Sequence, residues 1–180
     1  MLAKSFISVT SLCFLVFTGF TSNALAEDDI DRARAARNPT TPANILRQLA
    51  KSDNVEIRQN VARNRRAPAD LLFQLAHDPE EAIRITVITN TATDERTQLY
   101  LANDANEQVR SVLARYEYSS STVMDKLSKD KSVDIRLEVA QNWNTSAATL
   151  EKMTKDSYSE VSQIASRELT KRKLEEKNSN

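Results

Sequence analysis

Cysteine and glycine are almost missing from this chain, and each absence excludes a class of site. The 180 residues contain one cysteine, Cys13, and one glycine, Gly19. A single cysteine leaves no intramolecular disulfide and no cysteine-based metal cluster. Gly-rich phosphate loops, G-x-G-x-x-G turns and nucleophile elbows are excluded as well, because each needs backbone conformations that other residues adopt only at an energetic cost.

Histidine and an excess of charge of one sign are lacking too. His77 is the only histidine, and one imidazole alone supplies neither a zinc site nor a complete nucleophile and base pair. We expect it to be exposed and idle. The 25 basic residues equal the 25 acidic ones in number, which argues against a nucleic-acid binder or a polybasic membrane-surface protein. These absences predict a protein that is not an enzyme and holds no cofactor or metal.

Residues 1–26 have the three zones of an export signal. Lys4 gives a short basic start, an apolar run covers Phe6–Phe20, and small alanines precede the junction after Ala26. The run is shorter than the ~20 residues of a membrane span, and an acidic segment follows it instead of a basic stop-transfer cluster. A lipidated Cys13 is disfavoured because a bulky leucine precedes it. We therefore predict cleavage after Ala26, no membrane insertion of the remaining chain, and a periplasmic or secreted location.

What the chain does have is a period of 26 residues, held from about residue 31 into the C-terminal region. One register holds large apolar residues: Leu49, Leu75, Leu101, Leu127 and Met153. A second holds arginine: Arg32, Arg58, Arg84, Arg110 and Arg136. A third holds β-branched residues: Ile57, Ile83, Val109, Ile135 and Val161. A fourth holds Asn38, Asn64, Asn90 and Asn142, with Tyr116 in place of one asparagine and Glu168 at the end.

Each unit contains two short helices, which we call helix A and helix B. In the second unit, apolar residues over Val55–Arg63 follow the three-to-four spacing of a helix with one buried stripe. We expect Asn64 to end this helix A in the left-handed conformation. Helix B then starts behind a capping residue, with Pro42 and Pro68 at the first helical position in two units. The capping register is Thr41, Ala67, Thr93, Ser119 and Thr145.

These helices are too short to be stable alone, since helices of about ten residues are marginal in water. A helix pair of this size has no second layer over its apolar stripe, so the neighbouring units must cover it. The expected fold is therefore an all-α superhelical solenoid of about five two-helix repeats with polar terminal caps. We assign residues 27–176 to this repeat domain and residues 177–180 to a frayed tail.

The registers combine into the longer pattern Leu-Ala-x-Asp-x(4)-Val/Ile-Arg-x-x-Val-Ala-x-Asn-x-x-x-Pro. It is carried by Leu75-Ala76-His77-Asp78, Ile83-Arg84, Val87 to Asn90, Val61-Ala62-Arg63-Asn64 and Pro68. This pattern resembles the leucine-rich repeat variant family over residues 31–168. The resemblance implies a right-handed superhelix of alternating helical segments, one of which can be a tight 3₁₀ turn. The cysteine-rich, cluster-binding extension of one variant-repeat protein type is absent, so no iron–sulfur cofactor carries over.

The chain is also similar to HEAT-like repeats, in which an aspartate and an arginine six residues later form a ladder between neighbouring units. The matching pairs are Asp78 and Arg84, Asp104 and Arg110, and Asp130 and Arg136. Ser52 replaces the aspartate in the first full unit, and Ser162 replaces the arginine in the last. The similarity implies that these breaks fall where a neighbouring unit is missing.

The arginine register is the first candidate site, with Arg58, Arg84, Arg110 and Arg136 as its members. Guanidinium groups spaced along a groove could hold the carboxylates or phosphates of a ligand. The structural alternative is a ladder of ion pairs that holds the stack in register. We favour that alternative, because each arginine has an aspartate at a fixed spacing.

Tyr116, Tyr118 and Trp143 are the second candidate site. Glu117 and Trp143 are one period apart, so adjacent A-to-B turns would bring the aromatic residues to one edge of the solenoid. Exposed aromatic side chains on loops are favoured anchors for protein partners. The structural alternative, to which we give more weight, is that these rings cover hydrophobic gaps between turns.

Together these patterns favour a non-enzymatic protein-interaction or scaffolding module of the cell envelope or secreted space. It would bind a partner protein or peptide along the concave helix surface or at the aromatic edge. The alternative is a binder of anionic small molecules or envelope polymers through the arginine ladder. Ionic strength would separate the two, because anion capture weakens steeply with salt.

Overall fold

The computed structural model describes residues 28–178, and every regular element in this part of the chain is an α-helix. Helix α1 covers residues 28–37. The others are α2 (Ala43–Leu49), α3 (Val55–Arg63), α4 (Ala69–Leu75), α5 (Glu81–Ile88), α6 (Glu95–Leu101), α7 (Glu107–Arg115), α8 (Ser121–Leu127), α9 (Val133–Gln141), α10 (Ala147–Met153) and α11 (Ser159–Asn178). The predicted signal segment, residues 1–26, lies outside the described residues.

Longer and shorter helices alternate along the chain, and their starts recur at the predicted spacing. The A helices α3, α5, α7, α9 and α11 start at Val55, Glu81, Glu107, Val133 and Ser159. The B helices α2, α4, α6, α8 and α10 start at Ala43, Ala69, Glu95, Ser121 and Ala147. Helices of neighbouring units pack on one another, so the predicted all-α solenoid is confirmed. No 3₁₀ segment occurs within residues 28–178, and the right-handed sense stays a prediction.

The two apolar registers of the sequence form the core. The register at the end of the B helices is buried throughout: Leu49, Leu75, Leu101, Leu127 and Met153. The β-branched register of the A helices has no exposed surface: Ile57, Ile83, Val109, Ile135 and Val161. Burying one large apolar side chain stabilises a fold by about 1.5–3 kcal/mol. Because short helices have no other apolar cover, this stabilisation exists only in the stack.

The B helices begin one residue later than the sequence predicted. Pro42 and Pro68 are the N-cap residues of α2 and α4, with extended ψ angles of 149° and 152°. The register expected to cap has another role, because the hydroxyl of Thr41 donates to the backbone oxygen of Ala35, six residues earlier. The same bond recurs at Thr93, Ser119 and Thr145. These hydroxyls satisfy carbonyl groups that the end of helix A leaves free.

The asparagine register also differs from its predicted role. Asn64 has φ −71° and ψ 121°, which is extended, and none of the described residues has a positive φ. Its buried side chain donates through Nδ2 to the backbone oxygens of Ala36 and Asn38 in the preceding unit, at 2.7 and 2.9 Å. Asn90 and Asn142 make the corresponding contacts. We call this row the asparagine ladder, and it joins successive A-to-B turns.

Helix α11 covers the last unit of the stack. It packs on α9 and α10 and runs to Asn178, so helical structure extends past the predicted domain boundary at residue 176. Glu168 stands in the asparagine register and has no amide to donate. Arg172 donates instead to the backbone oxygens of Asn142 and Thr145. The end of the asparagine ladder is thus satisfied from within α11.

Candidate functional site

The arginine register forms a ladder of ion pairs between neighbouring units. In the bidentate contact of Arg110 with Asp130, Nε lies 2.7 Å from Oδ2 and Nη2 lies 3.2 Å from Oδ1. Nη1 of Arg110 donates to the backbone oxygens of Asp104 and Ala105, at 2.8 and 3.2 Å. The same four contacts recur in the pairs Arg58–Asp78, Arg84–Asp104 and Arg136–Asp156.

The ion pairs join neighbouring units, as the HEAT-like similarity implies, and each joins an arginine to the aspartate 20 residues after it. Arg84 binds the backbone oxygen of Asp78, six residues before it. Its carboxylate partner is Asp104, 20 residues after it, in the next unit. Each arginine therefore bonds to the backbone of the B-to-A turn in its own unit. Through the aspartate it also bonds to the equivalent turn of the next unit. At the N-terminal end, Arg32 pairs with Asp29 of its own helix, because a serine occupies the aspartate register.

Burial and hydrogen bonding leave these arginines little capacity for a ligand. The side chains of Arg110 and Asp130 are only 6% and 7% exposed. Four of the five guanidinium N–H groups are bonded within the protein. The hydrogen bond to Asp130 raises the pKa of Arg110, against the effect of burial. This geometry favours the structural interpretation of the ladder over anion binding.

We expect the ladder to make the stability of the protein sensitive to acid. The hydrogen bond from Arg136 lowers the pKa of Asp156. Burial alone would raise the pKa of Asp130, but hydrogen bonds from Arg110 and a backbone N–H outweigh it and the pKa is lowered. A lowered folded-state pKa contributes stability above the unfolded value of about 3.9, and the contribution is lost as the pH falls through the folded value.

Melting temperatures followed by circular dichroism should therefore fall below about pH 4. The fall should be shallower in an Asp156→Asn variant, which has one fewer ladder carboxylate to protonate. Identical acid profiles for the two proteins would contradict this account.

The two most exposed aromatic residues lie on adjacent A-to-B turns. Tyr118 is 64% exposed and Trp143 is 69% exposed. The half-buried ring of Tyr116 packs edge-on against Tyr118, with centroids 5.6 Å apart. The two turns touch, because Nδ2 of Asn144 donates to the backbone oxygen of Glu117 at 2.5 Å. The structure therefore brings Tyr116, Tyr118 and Trp143 to one edge. Only Tyr116 of the three is partly buried, so covering a gap does not account for the other two rings.

Tyr116 interrupts the asparagine ladder at this edge. Asn90 donates through its side-chain amide to two backbone oxygens of the preceding unit. The equivalent oxygens for position 116 are those of Ile88 and Asn90, and the side chain of Tyr116 has no amide to bind them. Helices α5 and α7, on either side of the break, pack on each other less extensively than α3 on α5, α7 on α9 or α9 on α11. Here one unit departs from the repeat pattern, and the packing does not improve in return. Such departures are expected where function constrains the sequence.

An Asn90→Ala variant should show what the asparagine ladder contributes. The substitution leaves the backbone oxygens of Ala62 and Asn64 without this donor and the N–H of Ala92 without its acceptor. Unsatisfied buried groups cost about 1–3 kcal/mol, and urea unfolding should show a loss of that size. An Asn103→Ala control removes an exposed amide with one bond, to Leu99, and should change little. Equal losses in the two variants would show that the ladder is not stabilising.

A second group of rings, on helix α4, in the turn after it and on helix α6, was not predicted from the sequence. His77 is exposed, but it stacks on Tyr100 with centroids 4.0 Å apart. Phe73 packs edge-on to His77 at 4.9 Å, and the guanidinium of Arg96 lies 3.9 Å from the Phe73 ring centroid. The available signal was that Phe73 and His77 are four residues apart, with Phe73 on α4 and His77 in the turn directly after it. Tyr100 follows Gln74, which lies between them, by one period.

The acidic and histidine side chains of the described residues do not gather in a metal-binding group. Residues 28–178 contain no group of three or more histidine, cysteine, aspartate or glutamate side chains placed to hold a metal ion. Within the same range, no helix has the length and apolar content to cross a membrane. The clusters that remain to be explained are therefore the exposed aromatic residues and the exposed charges.

Comparison with known proteins shows that one unit is similar to a protein family. Residues 55–80 match the family model described as leucine rich repeat variant. The matched segment is one period long and contains helix α3, helix α4 and the start of the following turn. Neither the curated proteins nor the solved structures gave a significant match to the chain. Residues 55–80 are therefore similar to a leucine-rich repeat variant unit, and they lie in an α-solenoid whose other units repeat their helix pattern.

Proposed function

We propose that this protein is a non-catalytic interaction module that binds a partner protein or peptide at its aromatic edge. Leucine-rich repeat variant units generally act as protein-interaction modules. The observation that carries the proposal is the exposure of Tyr118 and Trp143 on adjacent turns, at the point where Tyr116 breaks the asparagine ladder. Of the two surfaces considered from the sequence, this edge has more support than the concave helix surface.

Exposed tyrosine and tryptophan side chains suit a binding role for a physical reason. Each presents a large apolar ring with a polar atom, and few rotatable bonds are fixed when it is covered. Leaving two such rings in water forgoes stabilisation that a partner would recover by burying them. Such residues are the usual energetic centres of protein interfaces.

Anion binding through Arg58, Arg84, Arg110 and Arg136 is the weaker candidate. Their guanidinium groups are occupied by aspartate and backbone oxygens. A ligand would have to displace a bidentate partner from a largely buried pair, which costs more than the new contact returns.

We further propose that the protein acts in the periplasm or outside the cell. The support is the export-signal pattern of residues 1–26 in the sequence. Amino-terminal sequencing of the protein purified from cell-envelope and medium fractions tests this. A first residue of Glu27 is expected, and an intact amino terminus in the cytoplasmic fraction would contradict the proposal.

Affinity capture with matched variants tests the aromatic edge. A Tyr118→Ala/Trp143→Ala double variant should lose at least one envelope protein that the unaltered protein captures, because it removes both exposed rings. A Tyr158→Ala variant is the control, since this tyrosine is also exposed but lies on a B-to-A turn. All three proteins should give the same circular dichroism spectrum. Capture of the same proteins by the double variant would exclude the aromatic edge as the binding surface.

A further inference from the structure

The A-to-B edge is basic, although the whole chain has no net charge. We define this edge as five equivalent six-residue segments that contain the A-to-B turns: 37–42, 63–68, 89–94, 115–120 and 141–146. Its charged residues are five arginines and two acidic residues: Arg37, Arg63, Arg65, Arg66, Arg115, Asp94 and Glu117. The turns form a continuous row at the N-terminal end, where Asn64 binds the first turn and Asn90 binds the second.

Three of the five arginines have no ionic partner within residues 28–178. Arg37 lies 2.5 Å from Glu56, and Arg115 lies 4.0 Å from Glu138. Arg63, Arg65 and Arg66 are exposed and form no ion pair among the described residues. This contrasts with the ladder arginines, whose charges are neutralised within the fold. Three adjacent positive charges without partners attract an acidic group from outside.

The structure thus places two kinds of anchor on one edge. The unpaired arginines occupy the second turn of the row, and the exposed rings of Tyr118 and Trp143 occupy the fourth and fifth turns. Packed helices are about 8–10 Å apart, so three units separate the outermost anchors by about 24–30 Å. An extended peptide rises about 3.3 Å per residue, and about seven to nine residues would span this distance.

We propose that the partner bound at this edge presents an extended acidic segment followed, seven to nine residues along, by large apolar side chains. Its carboxylates would pair with Arg63, Arg65 and Arg66, where bidentate guanidinium contacts are available. Its apolar residues would cover the rings of Tyr118 and Trp143. This inference rests on the proposed function, since it names the chemistry of the partner at the same edge.

A mixed peptide fits this edge better than a uniform polyanion such as a nucleic acid or an acidic polysaccharide. The arginines without an ion pair among the described residues lie towards one end, and the carboxylate of Glu117 directly precedes Tyr118 at the other. A polyanion running the length of the edge would bring its charges close to this carboxylate. An acidic peptide with an apolar end avoids that repulsion.

Fluorescence anisotropy with labelled peptides of ten residues tests the proposal. The probe has an acidic half and an apolar half and is made in both chain directions, with one matched peptide in which glutamine and asparagine replace the acids. The acidic peptide should bind at least about tenfold more tightly than the neutral one. An Arg65→Glu/Arg66→Glu variant should remove that advantage. Emission of Trp143, the only tryptophan, should shift on binding.

A charge-matched control separates a local effect from a general one. Lys51→Glu/Lys155→Glu makes the same change of net charge at two exposed lysines outside the A-to-B edge, and it should leave the affinity unchanged. Equal affinity for acidic and neutral peptides, no peptide binding at all, or tighter binding of a single-stranded oligonucleotide would each overturn the proposal. Neutral-peptide binding that depends on Tyr118 and Trp143 but not on the arginines would leave the proposed function standing without its acidic partner.

Discussion

An Arg110→Ala variant should lose about 3–5 kcal/mol of unfolding free energy, the usual cost of breaking a buried ion pair from one side. The substitution leaves the buried carboxylate of Asp130 without its bidentate partner. It also leaves the backbone oxygens of Asp104 and Ala105 without this donor. For a chain of this size the melting temperature should fall by roughly 10 °C. Urea unfolding followed by circular dichroism measures both the loss and any change in cooperativity.

The exposed pair of Arg47 and Asp70 provides the matched control. It is also bidentate, at 2.6 and 2.9 Å, but its side chains are 41% and 60% exposed. An Arg47→Ala variant should be nearly as stable as the unaltered protein, because exposed pairs contribute little. Similar stabilities for the two variants would show that the ladder is not structural and would reopen anion binding as its role.

A Leu101→Ala variant should lose about 2–5 kcal/mol, since truncating a buried leucine removes apolar burial and leaves a cavity. Leu101 has no exposed surface and belongs to the apolar register in the middle of the stack. In a repeat protein each unit is stabilised by its neighbours, so the cavity weakens the contacts of the central unit on both sides. The unfolding transition should therefore become broader as well as earlier.

Leu174→Ala is the control for this experiment, because this leucine of α11 is 57% exposed and surface substitutions usually change stability by less than about 0.5 kcal/mol. A Leu101→Ala variant that kept the full stability and the same cooperativity would contradict the account of a core formed only by stacking. Such a result would require the helices to be stable without their neighbours.

The sequence predicted the stacked architecture well but the role of individual polar residues poorly. Asn64 was expected to end a helix with a left-handed backbone, yet its side chain bonds to the preceding unit across 26 residues of chain. A ladder of arginine and aspartate between units was expected, but the motif did not say that the carboxylate meeting Arg84 is Asp104, 20 residues after it. In both cases, side chains of one register reach the adjacent unit. A linear pattern reports spacing along the chain and cannot say which copy a side chain contacts.

The candidate site was likewise predicted in position but not in its detailed contacts. The positions of Tyr118 and Trp143 on one edge followed from the period, because turns one period apart are neighbours in any stack. Their exposure did not follow from the period. The sequence interpretation gave more weight to burial of these rings in gaps between turns than to their exposure. The ring group around His77 and Tyr100 was missed, because its members occupy different registers on two helices. Its formation depends on how far apart and at what angle those helices pack.

By itself the sequence determined the period, the helix pair and the two buried apolar registers, because helices this short can shelter an apolar stripe only by stacking copies. Tertiary structure alone decided which charges are neutralised within the fold and which stay free. The ladder arginines meet an aspartate of the next unit, whereas Arg63, Arg65 and Arg66 meet no carboxylate in the part of the chain that the structure describes. This distinction depends on distances of a few ångströms between units, and it separates the residues that hold the solenoid together from those available to a partner.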